Sequence, residues 1–216
     1  METSKSKPHR AKYSDADWKD RVEASDKYES KRFGRSSGGQ KKNRREQAMV
    51  RKFLQGLPND RLVLDVPAGM GRFSQLIVES GHRPVSADLN WGRTLDARHR
   101  LETPVAAMQA DIMRLPLKEN SVDAVICFRL CHHLTSEQIL QALRELRRVA
   151  GCAFVTFYST ASIKYWKKKL RGKDVSGKYY PARLVEKLSA QAGWKTCKHN
   201  EPFDFLHSLH SLELHR

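Results

Sequence analysis

The chain has 216 residues, 39% of them hydrophobic and 30% charged, with a formal net charge of +16. That length and apolar content suit one globular unit able to bury a core, and no apolar run approaches the roughly 20 residues of a membrane span. The four cysteines form no CxxC pair, which excludes a disulfide scaffold and a paired-cysteine zinc site and leaves free thiols, with no metal expected.

In chain order, residues 1–12 read as a disordered basic tail and 14–32 as a polar helix, with Trp18, Val22 and Tyr28 at helix-like intervals behind a Ser14 or Asp15 cap. Residues 34–45 read as a Gly/Ser hinge running into a basic cluster. A helix over 46–55 follows, with Met49, Val50, Phe53 and Leu54 on its apolar face. Short apolar strands then alternate with helices: strand 61–66, helix 72–80, strand 83–88, helix 91–101 and strand 104–109. Strand 122–128, helix 136–149 and strand 152–158 continue the series. Such alternation predicts an α/β fold, a parallel sheet covered on both faces. A helix over 181–192 precedes two strands, 194–199 and 205–214, too close together for anything but an antiparallel pair. The sheet would thus have seven strands, mostly parallel, with an antiparallel final pair.

The charge is unevenly placed. Residues 1–56 hold 16 Lys/Arg against 8 Asp/Glu, residues 57–160 hold 12 against 11, and residues 161–198 hold 11 against 2. Two basic flanks around a neutral centre attract polyanions: nucleic acid, a phosphorylated glycolipid or an anionic membrane surface. Solvated lysines that only aid solubility would give the same count. The polar N-terminus shows no apolar leader, so a cytoplasmic location is expected.

The strongest local signal is Asp65-Val-Pro-Ala-Gly69-Met-Gly71 between a strand and a helix. Two glycines there let backbone amides approach an anionic group at a helix N-terminus. The third glycine of a dinucleotide fingerprint is replaced by Ser74, which weakens that reading. Asp88 ends the next strand, where an acid accepts hydrogen bonds from ribose hydroxyls, in a dehydrogenase as in other nucleotide-type sites. Asp111, beside Ile112 after the third strand, suits an adenine amine and ring face.

Residues 61–158 resemble the class I S-adenosylmethionine-dependent methyltransferases, in particular the group related to the ubiquinone-biosynthesis enzymes. The resemblance rests on LVLDVPAGMGRFSQLI, VSADLN, ADIMRLPLKENSVDAVICFRLCHHL and LRELRRVAGCAFVTFY. It implies a Rossmann-like fold and S-adenosylmethionine as cofactor. Gly69 and Gly71 would hold its methionine part, Asp88 with Leu89 its ribose, and Asp111 with Ile112 its adenine. Asp65 would organise the loop, and Phe128 would line the substrate side. The domain would run over 57–216, behind a basic helical segment at 13–56. Two departures stand out: Pro67 replaces the usual first loop glycine and has no N–H to donate, and Val149-Ala-Gly-Cys152 replaces a longer turn.

The resemblance implies methyl transfer to a nucleophile on an acceptor. The basic flanks point to an anionic small-molecule or lipid-linked acceptor, with RNA of the tRNA type and a non-catalytic nucleic-acid-binding module as alternatives. A nicotinamide oxidoreductase is a further class. Candidate acid–base groups are His132, His133 and Tyr158, each of which could instead cap, pack or line the rim. Candidate contacts to substrate or polyanion are Arg129 and, in the basic segment 161–198, Tyr165, Trp166, Lys167, Lys168, Lys169 and Arg171. An RNA or an anionic membrane surface are both candidate partners for that stretch.

Overall fold

The structure is a computed structural model that describes residues 37–94, 105–175, 179–200 and 209–216. The tail 1–12, the polar helix 14–32 and most of the helix expected over 91–101 lie outside the described residues. The elements are α1 (Ser37–Gln55), β1 (Leu62–Asp65), α2 (Arg72–Glu79), β2 (Arg83–Asp88), β3 (Ala106–Gln109) and β4 (Val122–Cys127). They continue with α3 (Ser136–Val149), β5 (Ala150–Tyr158), α4 (Ile163–Leu170), α5 (Ala182–Gln191), β6 (Thr196–Asn200) and β7 (Leu209–His215). The seven strands form one sheet in the order β3-β2-β1-β4-β5-β7-β6. Neighbours from β3 to β5 are parallel, and β7 runs antiparallel to both β5 and β6.

Strand periodicity explains how one sheet serves two cores. Successive side chains point to opposite faces, so Val63, Ala124, Ile126 and Phe154 join Val50, Phe53, Leu54, Phe73, Leu76 and Ile77 of α1 and α2. Their sequence neighbours Leu64, Val125 and Val155 join Ile139, Leu143, Leu146, Val185 and Leu188 of α3 and α5. Central strands buried on both faces read as unbroken apolar runs, which is why they were legible.

Two local expectations are corrected. The hinge read over 34–45 is helical from Ser37 onward, with Gly38 and Gly39 inside α1. Glycine costs a helix about 1 kcal/mol per residue, but burial of Val50, Phe53 and Leu54 outweighs that local cost. The strand expected over 152–158 starts earlier, at Ala150 directly after α3, which agrees with a shortened connection at Val149-Ala-Gly-Cys152. The start of α3 follows its sequence signal. Thr135 accepts from the Gln138 amide, and the Gln138 side chain accepts from the Thr135 amide.

Candidate active site

Parallel strands deliver their C-terminal ends to one edge, and the loops there carry the site. After β1 the chain passes through Val66 and a cis peptide to Pro67. The loop is then held by backbone bonds: the Ala68 amide donates to the Ala87 carbonyl at 2.8 Å, and the Gly71 amide to the Ala68 carbonyl at 3.0 Å. Gly69 and Gly71 adopt positive φ, 55° and 76°, the left-handed region that glycine enters without Cβ strain. A Cβ at Gly69 would meet nothing within 4 Å, so that side of the loop is open to a ligand.

Three carboxylates lie at the ends of three adjacent strands, with quite different surroundings. Asp65 is fully buried. Its Oδ2 accepts from Ser74 Oγ at 2.8 Å, Ser74 Oγ lies 2.7 Å from Ser86 Oγ, and its Oδ1 has no hydrogen-bond partner among the described residues. Burial pushes its carboxyl up to about 7, although the Ser74 hydroxyl and the Arg72 charge act the other way. Asp88 is also buried. It accepts from the Gly69 amide and the Asn90 amide, both at 2.9 Å, and so ties the glycine loop to the β2 end. Asp111 is exposed and accepts from the Met113 amide at 2.9 Å, closing the turn that buries Ile112. Leu89, between the two acidic loops, is 67% exposed.

At the end of β4 the arrangement is tighter than expected. Phe128 is buried against Phe73 at 4.5 Å between ring centroids, with the Arg72 guanidinium 5.6 Å from its ring, so it packs beneath α2 instead of lining an open substrate face. Arg129 takes φ 59° while its amide donates to Thr156 Oγ1 at 2.8 Å. Its guanidinium pairs with Glu46 of α1, and Arg72 reaches the other Glu46 oxygen at 2.9 Å. Arg129 is therefore neither solvated nor an open anion contact. It clamps α1 across the carboxyl edge of the sheet.

His132 lies in a single 3-10 turn, Cys131–His133, and its ring is 4.8 Å from Tyr158 and 3.9 Å from His133. A row of rings continues from Tyr158 to Tyr179 at 5.8 Å, to Tyr165 at 5.4 Å and to Trp166 at 5.4 Å. It links the end of β4 to α4, whose Lys167, Lys168 and Lys169, with Arg171 just beyond, form the basic stretch. The buried thiols are poor nucleophiles: burial pushes Cys131 up to about 12 and Cys127 well above its ordinary range.

Sequence reasoning gave Ser74, Thr156, Arg72 and Glu46 no contact at the site. Ser74 stands where the third fingerprint glycine would be, and Glu46 is the only acid between Glu29 and Asp60. Both oddities were readable, though neither said what the side chain would touch.

This geometry can be set beside known proteins. A family described as "Methyltransferase domain" matches residues 63–151, which contain the glycine loop and all three carboxylates. This stretch, less than half of the chain, is similar to a methyltransferase domain. The chain is 30% identical over 133 residues to a demethylmenaquinone methyltransferase of Clavibacter sepedonicus, covering 60% of this chain and 53% of that protein. It is 32% identical over 101 residues to a probable tRNA methyltransferase 9B of Homo sapiens, covering 46% of this chain and 21% of that protein. The chain thus spans about half, or less, of the curated relatives it matches. Among solved structures, the magnesium protoporphyrin IX methyltransferase of Synechocystis with bound SAH superposes with TM-score 0.66 at 17% identity. That match covers 80% of this chain and 82% of the other. A protein from Pyrococcus horikoshii gives TM-score 0.68 at 17% identity over 84% of this chain and 92% of its own. At such identities the likeness is one of fold.

Proposed function

We propose that the protein moves a methyl group from S-adenosylmethionine to an anionic acceptor, either a small molecule or a lipid-linked one. The observation that carries this is the glycine loop with Asp88 and Asp111 at the ends of adjacent parallel strands inside the stretch similar to a methyltransferase domain. The residues fit the cofactor. Open space at Gly69 admits the methionine part, and the unpartnered Asp65 Oδ1 suits an amino group. Asp88 has lone pairs left for ribose, and Asp111 with the exposed Leu89 suits an adenine amine and ring. The bound cofactor supplies an activated methyl on a sulfonium. The chain's own part is alignment and exclusion of water. Where the acceptor carries a proton, His132 is the candidate to take it, its ring lying 4.8 Å from that of Tyr158.

Titration calorimetry tests the cofactor assignment. Micromolar S-adenosylmethionine binding is expected, weakened about tenfold or more in Asp88→Ala, because that change removes a charged acceptor of hydrogen bonds and frees the Gly69 amide. Binding of NADH instead would overturn it, and binding of neither would favour a non-catalytic module.

A second reading, an RNA acceptor, is favoured by the similarity to a probable tRNA methyltransferase and by the half-exposed Trp166 with Lys169 Nζ 5.3 Å from its ring. Transfer of labelled methyl into an under-methylated extract, with and without ribonuclease, separates the two. Label surviving in the organic or small-molecule fraction supports the main reading, and label lost to ribonuclease supports RNA.

A further inference from the structure

We propose that α4 is an in-plane docking helix for an anionic lipid surface. Among the described residues the exposed large apolar side chains are Leu89, Trp91, Ile163, Trp166 and Leu170. The first two follow β2 at the candidate cofactor site. The other three, 39%, 51% and 84% exposed, all belong to α4. Spaced three and four residues apart, they form one stripe along the helix.

That stripe is turned away from the protein. The opposite side of α4 rests on buried Tyr179, which lies 5.4 Å from the Tyr165 ring and 5.4 Å from Lys168 Nζ. Cations flank the stripe on both sides. Lys169 Nζ sits 5.3 Å from the Trp166 ring. On the other flank Ile163, Lys164, Lys167, Lys168, Arg171 and Lys173 line an open cleft of about 330 Å³, suited to a phosphate headgroup. Residues 161–173 contain no Asp or Glu. Among the described residues no helix is long and apolar enough to cross a membrane, so the contact would be peripheral.

The aliphatic members decide the occupant. A single-strand nucleic-acid platform needs successive aromatic faces, yet Tyr165 is half-buried and meets Trp166 nearly edge-on at 80°. Ile163 and Leu170 cannot stack on bases, whereas apolar side chains rimmed by lysines suit acyl chains beneath anionic headgroups. The inference rests on the proposed activity only for its use, which is to bring the carboxyl edge of the sheet, where β5 ends, to a bilayer. Docking itself requires neither cofactor nor acceptor.

Co-sedimentation of the full chain with phosphatidylcholine vesicles, with and without phosphatidylglycerol, tests it in the absence of cofactor. Expected are binding only to the anionic vesicles, weakening with salt, and a blue shift of emission that is lost in Trp166→Phe. Leu170→Ser, at a site too exposed to affect folding, should weaken partition about tenfold, as loss of a buried leucine contact predicts. Replacing Lys167 and Arg171 with Gln should weaken it independently. Three results would overturn the proposal: no anionic-vesicle binding at low salt, binding indifferent to Leu170→Ser, or displacement from vesicles by a single-stranded RNA oligonucleotide that quenches Trp166. A failure of vesicle binding with intact S-adenosylmethionine binding would sink this inference and leave the enzymatic reading standing.

Discussion

Asp65 shows how much one buried carboxylate can imply. Held at about 7 by burial, it keeps a proton in the folded protein that the unfolded chain, near 3.8, has already released. Folded protein therefore binds more protons between those values, and stability falls as pH rises from about 4 to 7, with the full penalty present above 7. About three pH units correspond to at most about 4 kcal/mol. Asp65→Asn removes the titration while keeping an acceptor for Ser74. Its thermal midpoint should gain on the wild type from about pH 4 to pH 7 and level off above that, and parallel curves would refute the assignment. The residue types of the loop were legible from the chain alone, because strand, acid, glycines and helix follow one another. The contacts were not. Ser74 reaches Asp65 from a helix at 2.8 Å, Ser86 reaches Ser74 from a neighbouring strand at 2.7 Å, and only packing brings the three into series.

Among the elements, α1 departs furthest from its local signals. A Gly/Ser stretch and a basic cluster argue against a stable helix, yet it runs from Ser37 to Gln55 because one face enters the core and Glu46 is gripped by two arginines. Removing one partner from a buried ionic cluster costs more than forming it returned, since like charges are then left facing each other. Glu46→Ala should destabilise the protein by about 3 kcal/mol in urea unfolding and make α1 the first segment cut by protease. Glu46→Gln, which retains a hydrogen-bond acceptor, should fall between. Unchanged stability in Glu46→Ala would mean that the clamp holds nothing. The same clamp corrects the view of Arg129 as an open contact: the partner comes from a helix 83 residues away in sequence, beyond the reach of any local pattern. By contrast, β2 and α3 agree with their expected bounds, since a strand bounded by turns and a helix with its capping box carry their signals within themselves.

For the whole molecule, α1 and α2 on one face and α3 and α5 on the other share the central strands, so neither face can unfold while the other stays packed. Phe53→Ala on the first face and Leu143→Ala on the second should each shift a single cooperative transition by about 3 kcal/mol, seen alike by circular dichroism and tryptophan emission. Two transitions in Phe53→Ala would make α1 a separate unit. Composition, strand–helix alternation and the glycine-and-acid spacing by themselves determined the α/β class, the antiparallel final pair and the places of Asp65, Asp88 and Asp111 at the ends of successive strands. Those properties are written in short stretches of chain, where periodicity and turn chemistry act. Only the tertiary structure decided that β7 lies between β5 and β6, that Arg129 turns inward to Glu46, and that α4 shows its apolar stripe to the outside. Each depends on which faces meet across long sequence separations, and burial, a property of the assembled fold, selects among faces that the local sequence leaves equivalent.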